Sequence, residues 1–125
     1  MTANQGHTLT KAQIWVSAIR PATLWAGAVP VFVGAALAAA AGYGPGTSSI
    51  LALVGALLIQ VGTNLVNDYA DFKTGADGPD RLGPKRATSE GWLKPRQVLA
   101  AALITLLCAG AVGVYLSTIG GAPIL

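Results

Sequence analysis

Charge is the first thing this sequence lacks. Only 10% of its 125 residues are charged, where a soluble domain carries roughly a quarter. No Asp, Glu, Lys or Arg occurs from Pro21 to Asn67, and none from Gln97 to Leu125. That distribution excludes a water-facing globular surface. Cysteine is nearly absent as well. The lone Cys108 excludes an internal disulfide or a cysteine metal cluster, and reads as a small packing residue. The one histidine, His7, belongs to the polar N-terminal arm. A formal charge of +3 without a basic patch interleaved with aromatics argues against a nucleic-acid partner.

What is present is apolar sequence in long runs. About 20 apolar residues cross a hydrocarbon core about 30 Å thick. The first charge-free run is too long for one crossing, and Gly42-Tyr43-Gly44-Pro45-Gly46 breaks it with turn chemistry. The expectation is therefore an all-α, multi-pass transmembrane helical bundle, with spans at about 22–41, 50–69 and 97–119. Pro30 should kink the first span. Trp15, Trp25 and Trp92 flank the spans as interfacial anchors would. Gly27, Gly34, Gly55, Gly62, Gly110 and Gly113 offer small faces for close helix approach, the main route to helix association in lipid. Other helices in the membrane are expected partners for those faces.

Lys and Arg set the expected orientation. Lys11 and Arg20 precede the first span, six more cations lie in the loop 70–96, and the Gly42–Ser49 turn has none. The positive-inside rule then places the N-terminus and that loop in the cytoplasm, in a cell inner membrane. A cleaved signal peptide is not expected, since Met1–Thr10 holds no basic cluster and the apolar run is too long for a signal core.

All five acidic residues also fall between Asp68 and Arg96. At about 100° per residue, Gln60, Asn64, Asn67, Asp68 and Asp71 form one stripe about 100° wide on a helix. It is amide at depth and carboxylate near the loop. Polar groups inside a span are costly and face a cavity or a partner. Carboxylates a helical turn apart suit a hard divalent cation. Mg²⁺ takes one or two of them and completes its shell with water and phosphate oxygens. Nearby Lys and Arg would hold the remaining phosphate charge. An apolar cavity beneath would take a lipid tail, so the pattern describes a pocket for a lipid diphosphate. The competing reading is a solvated loop of mixed charge with Asn and Asp as helix terminators. That reading suits Asp80, Glu90 and Lys94, and stays open for Asp77 and Arg86. It does not explain Gln60 and Asn64.

Three blocks carry a resemblance. They are Arg20-Pro21-Ala22-Thr23-Leu24, the stretch Gly62 to Asp77 containing Asn67-Asp68-Tyr69-Ala70-Asp71, and Arg81-Leu82-Gly83-Pro84-Lys85-Arg86-Ala87-Thr88. In this order on this topology, they resemble the UbiA superfamily of intramembrane prenyltransferases. Within it the sequence looks like the branch that prenylates 1,4-dihydroxy-2-naphthoate on the way to menaquinone. Two departures bear on this. The general pattern would put an acid at Gly75, and Phe72 stands where the hydroxybenzoate branch commonly has arginine. Both favour a naphthoate acceptor.

The resemblance implies a polyprenyl diphosphate and an aromatic acid as substrates. It implies Mg²⁺ held by Asp68, Asp71 and Asp77, with Asp68 and Asp71 catalytic. Asn64, Asn67, Lys73, Asp77 and Arg86 would bind substrate, and Lys73 and Arg86 would neutralise the leaving pyrophosphate. Arg20 would either meet the acceptor carboxylate or anchor the topology. The resemblance further implies a nine-helix fold with a second Asp-rich motif. Nothing after Asp77 resembles that motif, so residues 1–125 read as the N-terminal part of such a domain, expected to be inactive alone. A UbiA-type enzyme with another acceptor and a non-enzymatic multi-pass protein are the competing expectations.

Overall fold

The computed structural model describes residues 9–76, 78, 80, 82–83 and 85–120. Among them every regular element is helical. Helix α1 spans Lys11–Ile19, a 3₁₀ turn covers Pro21–Thr23, and α2, α3 and α4 span Leu24–Ala40, Thr47–Thr74 and Pro95–Gly120. The expected all-α bundle, with three helical stretches long and apolar enough to cross a membrane, is present.

Each boundary has a local cause. Helix α1 starts with a capping box: Gln13 N–H donates to Thr10 Oγ1 at 3.3 Å, and Thr10 N–H donates to Gln13 Oε1 at 2.9 Å. It stops at Arg20, whose backbone turns left-handed at φ 58°. Pro21 then opens the 3₁₀ turn. Helix α2 remains helical through Pro30. At about 1.5 Å per residue, the 28 residues of α3 reach about 42 Å, which exceeds a hydrocarbon core by about 12 Å. The excess leaves room for the charged end of α3, which carries Asp68, Asp71 and Lys73, to extend past the apolar run. Gly75, at φ 68°, closes α3 with its N–H on the Asp71 carbonyl. A side chain there would be strained.

Helix α3 is central and packs against α4, α2 and α1. Glycine allows the close approaches. A Cβ on Gly27 would lie 3.0 Å from the Ala56 carbonyl oxygen, one on Gly55 3.3 Å from Val112 Cγ1, and one on Gly62 2.6 Å from Leu106 Cδ2. Gly34, Gly110 and Gly113 meet nothing within 4 Å, so no described neighbour packs closely on them. The buried apolar cluster of Ala18, Leu65, Ala87, Leu93, Val98 and Ala102 lies at the loop end of the bundle, with Ile14, Trp15 and Trp92 packed on it. Trp25, by contrast, is exposed.

Candidate functional site

The polar stripe of α3 is divided lengthwise by its packing. Asn64 and Asp68 are buried, Gln60 and Asp71 are half-buried, and Asn67 is exposed. One edge of the stripe turns into the chain's own fold and the other opens outward.

The buried edge is tied by side chains. Asn64 Nδ2 donates to the Ile19 carbonyl and to Thr23 Oγ1, both at 2.8 Å. These two acceptors end α1 and the 3₁₀ turn, so the amide bridges the break around Arg20. Both amide hydrogens are committed within the chain, and only Oδ1 is left to offer a ligand. One turn on, Asp68 is 1% exposed. Its Oδ1 accepts the Thr88 backbone N–H at 3.2 Å, and its Oδ2 is buried without a partner.

Arg86 reaches the open edge from the loop. Its Nη2 donates to Asp71 Oδ2 at 2.7 Å; the arginine side chain is 9% exposed and the aspartate 28%. Arg86 Nε and Nη1 and Thr88 Oγ1 are buried with no hydrogen-bond partner. The short segment 86–88 therefore straps both carboxylates, Asp71 through a guanidinium and Asp68 through a backbone N–H. Neither the strap nor the Asn64 bridge was read from the sequence. Thr88 closes the Arg81-to-Thr88 stretch of the sequence, but a backbone donor leaves no side-chain signature.

Lys73 is placed elsewhere. Two residues beyond Asp71 is about 200° around the helix, and Lys73 lines a cavity between the ends of α3 and α4 with Lys94 and Arg96. It is not brought to the Asp71–Arg86 pair. Asp77 and Arg81 lie outside the described residues. Deeper on the Asp71 face of α3, Leu53 and Leu57 join Leu24, Trp25 and Phe32 of α2 around an apolar groove of about 330 Å³. The groove continues the stripe toward the bilayer centre.

The chain matches the description of the UbiA prenyltransferase family over residues 27–122. It belongs to that family. It is 36% identical over 99 residues to the 1,4-dihydroxy-2-naphthoate octaprenyltransferase of Escherichia coli (strain K12), covering 79% of this chain and 32% of that protein. The enzyme of the same name from Mycobacterium tuberculosis is 37% identical over 103 residues, covering 82% of this chain and 35% of the relative. That of Bacillus subtilis is 36% identical over 115 residues, covering 92% and 36%. The chain thus spans about a third of the length of the curated relatives it matches. No solved structure matches it.

Whether these residues suit the family's divalent ion is decided by their donor set. No group of three or more metal-ligating side chains occurs among the described residues. Two carboxylates one turn apart are nonetheless a donor set that Mg²⁺ accepts when phosphate oxygens and water complete it. The unpartnered Asp68 Oδ2 is an acceptor with nothing to accept from, which is where a cation fits.

Proposed function

We propose that this chain forms the diphosphate-binding part of a polyprenyltransferase that acts on 1,4-dihydroxy-2-naphthoate in menaquinone biosynthesis. One observation carries the reading. Beside the paired Asp71 and Arg86 the site holds a buried acceptor without a donor, Asp68 Oδ2, and buried donors without an acceptor, Arg86 Nε and Nη1. Buried polar groups are normally satisfied. A cation beside the carboxylates and an oxyanion beside the arginine would satisfy both at once, and a metal–diphosphate pair supplies both.

In this reading Asp68 and Asp71 hold Mg²⁺, joined by Asp77, and the ion supplies counter-charge to the diphosphate. Arg86 holds the phosphate oxygens through a planar fork of donors. Asn67, exposed beside Asp71, reaches the same head group, and Asn64 sets the wall beneath it. The groove of Leu53, Leu57 and Phe32 takes the first prenyl units. Lys73 is left out because it stands on another face. The relatives' shared name supports naphthoate as the acceptor. Lys and Arg placement supports a cytoplasmic loop at the inner membrane, and residues 1–125 correspond to the N-terminal part of the UbiA-type bundle.

The test uses membranes carrying the full-length protein, labelled polyprenyl diphosphate and a panel of aromatic acids. Asp71→Asn is expected to weaken diphosphate binding by about 10- to 100-fold, since a hydrogen bond to a charged group is worth about 1.5–3 kcal/mol. Unchanged binding would remove the site assignment. Preferential transfer to a hydroxybenzoate would remove the naphthoate assignment and leave the prenyltransferase.

A further inference from the structure

The cavity on the other side of the α3 terminus has a different character. It measures about 640 Å³ and is walled by Lys73, Lys94 and Arg96 over a floor of Tyr69, Phe72 and Leu99. Among the described residues no acidic side chain lines it. Among the described residues the two ion pairs are Lys85–Glu90 and Arg86–Asp71, and none of these three cations takes part in either. Lys94 and Arg96 flank the start of α4, whose first turn holds no acid. The positive end of a helix dipole disfavours cations there, so their placement does not serve the helix.

Depth identifies the occupant. Lys73 follows the charge-free run that ends at Asn67, and Lys94 and Arg96 precede the one that begins at Gln97. The three cations therefore stand just outside the apolar runs, where head groups lie, and Phe72 and Leu99 give the same cavity an apolar part. Lys and Arg with an apolar stem and an interfacial aromatic match a ligand that is anionic at its head and apolar behind it. Basic pockets between membrane helices take anionic head groups in this way.

We infer that this cleft is a binding site for an anionic phospholipid, with its phosphate held by Lys73, Lys94 and Arg96. The site is separate from the Asp71–Arg86 pair and does not depend on the reading given to that pair. A single interfacial cation is worth about fivefold in affinity for an anionic lipid surface. Three of them give on the order of 100-fold.

The experiment places the purified chain in phosphatidylcholine nanodiscs and titrates in a fluorescent phosphatidylglycerol, with fluorescent phosphatidylcholine as the neutral control. Lys73→Gln, Lys94→Gln and Arg96→Gln together should lower retention of the glycerol lipid by on the order of 100-fold and leave the choline lipid unchanged. Each single change should lower it about fivefold. In the unmodified chain, 0.5 M salt should weaken the glycerol lipid alone, because partly exposed charges are screened at that ionic strength. This arm holds even if the triple variant folds poorly. Equal retention by variant and parent, or salt-insensitive retention, overturns the inference. So does one-for-one displacement by a short prenyl diphosphate, which would make the cleft a second face of the diphosphate site.

Discussion

The two ends of this bundle are built on different principles. At the loop end the helices are fastened by named polar contacts: Asn64 to Ile19 and Thr23, Thr88 to Asp68, and Arg86 to Asp71, all around a buried apolar cluster. At the other end, Gly42 to Gly46 join α2 to α3, and helix contact depends on bare glycine faces such as Gly55 against Val112. Phe32, Leu37, Leu107 and Val114 are exposed along that half. In lipid, apolar exposure costs little, so this half needs only close approach. The loop end lies where water and ions reach. It is also where the candidate chemistry is found, and there geometry has to be fixed side chain by side chain.

The contrast breaks most visibly at the ion pair. Asp71→Asn leaves the Arg86 guanidinium buried with two further nitrogens already unpartnered. Stranding a buried charge costs about 3 kcal/mol. Arg86→Met removes this one contact of Asp71 instead, and that carboxylate is 28% exposed, so water replaces it. The arginine change should cost less than half as much. Denaturant unfolding in detergent, followed by helical circular dichroism, measures both. Equal costs would show that the strap is not closed over the arginine.

Next comes the amide bridge. Asn64→Ala removes two 2.8 Å hydrogen bonds and leaves the Ile19 carbonyl without that donor. The expected loss is about 2 kcal/mol. It should appear with a wider separation between spin labels on α1 and α3. A loss with no change in separation would mean that the cluster around Ala18 and Leu65, not the amide, holds α1.

How much of this was legible can be judged residue by residue. The three spans follow from charge-free runs because the cost of charge in lipid is large and independent of tertiary context. The polar face of α3 follows from helical period alone. Its division into a buried and an open edge does not, since that depends on which neighbour packs where. Lys73 was readable: a position 200° from Asp71 does not share its face. Helix α1 was readable too, from Thr10 and Gln13 as a capping box. Thr88 was not, because it acts through its backbone. Asn64 was read as facing a ligand, whereas its amide hydrogens bind the preceding helix break, a contact 41 to 45 residues away in sequence.

The glycine half gives a smaller effect. Gly55→Ala places a methyl 3.3 Å from Val112 Cγ1, and a shift of a few tenths of an ångström relieves it. Alanine also gains up to about 1 kcal/mol of helix propensity over glycine. The net change should stay within about 0.5 kcal/mol. Gly62→Ala, nearer the loop end, meets Leu106 Cδ2 at 2.6 Å and Cγ at 2.7 Å. It should cost about 1–2 kcal/mol, with partial recovery on adding Leu106→Ala. If Gly55→Ala proves the costlier, the two halves are not packed as differently as described.

The smallest effect is also the one expected to stabilise. Arg20 is the only non-glycine residue at positive φ among the described residues; Gly42, Gly75, Gly83 and Gly91 take the others. A side chain in the left-handed region costs about 1–2 kcal/mol, and a helix-closing position of this kind usually goes to glycine. Arg20→Gly relieves that strain but adds about 0.5–1 kcal/mol of unfolded-chain freedom. A net gain of about 0.5 kcal/mol is expected, with the Asn64 bridge intact because both its acceptors lie on other residues. The sequence nevertheless keeps arginine, beside a cavity it shares with Lys85 and Trp92. A more stable Arg20→Gly protein that transfers prenyl groups poorly would show that the guanidinium is retained for function at the expense of stability. A more stable and fully active one would leave the arginine only as a topology anchor.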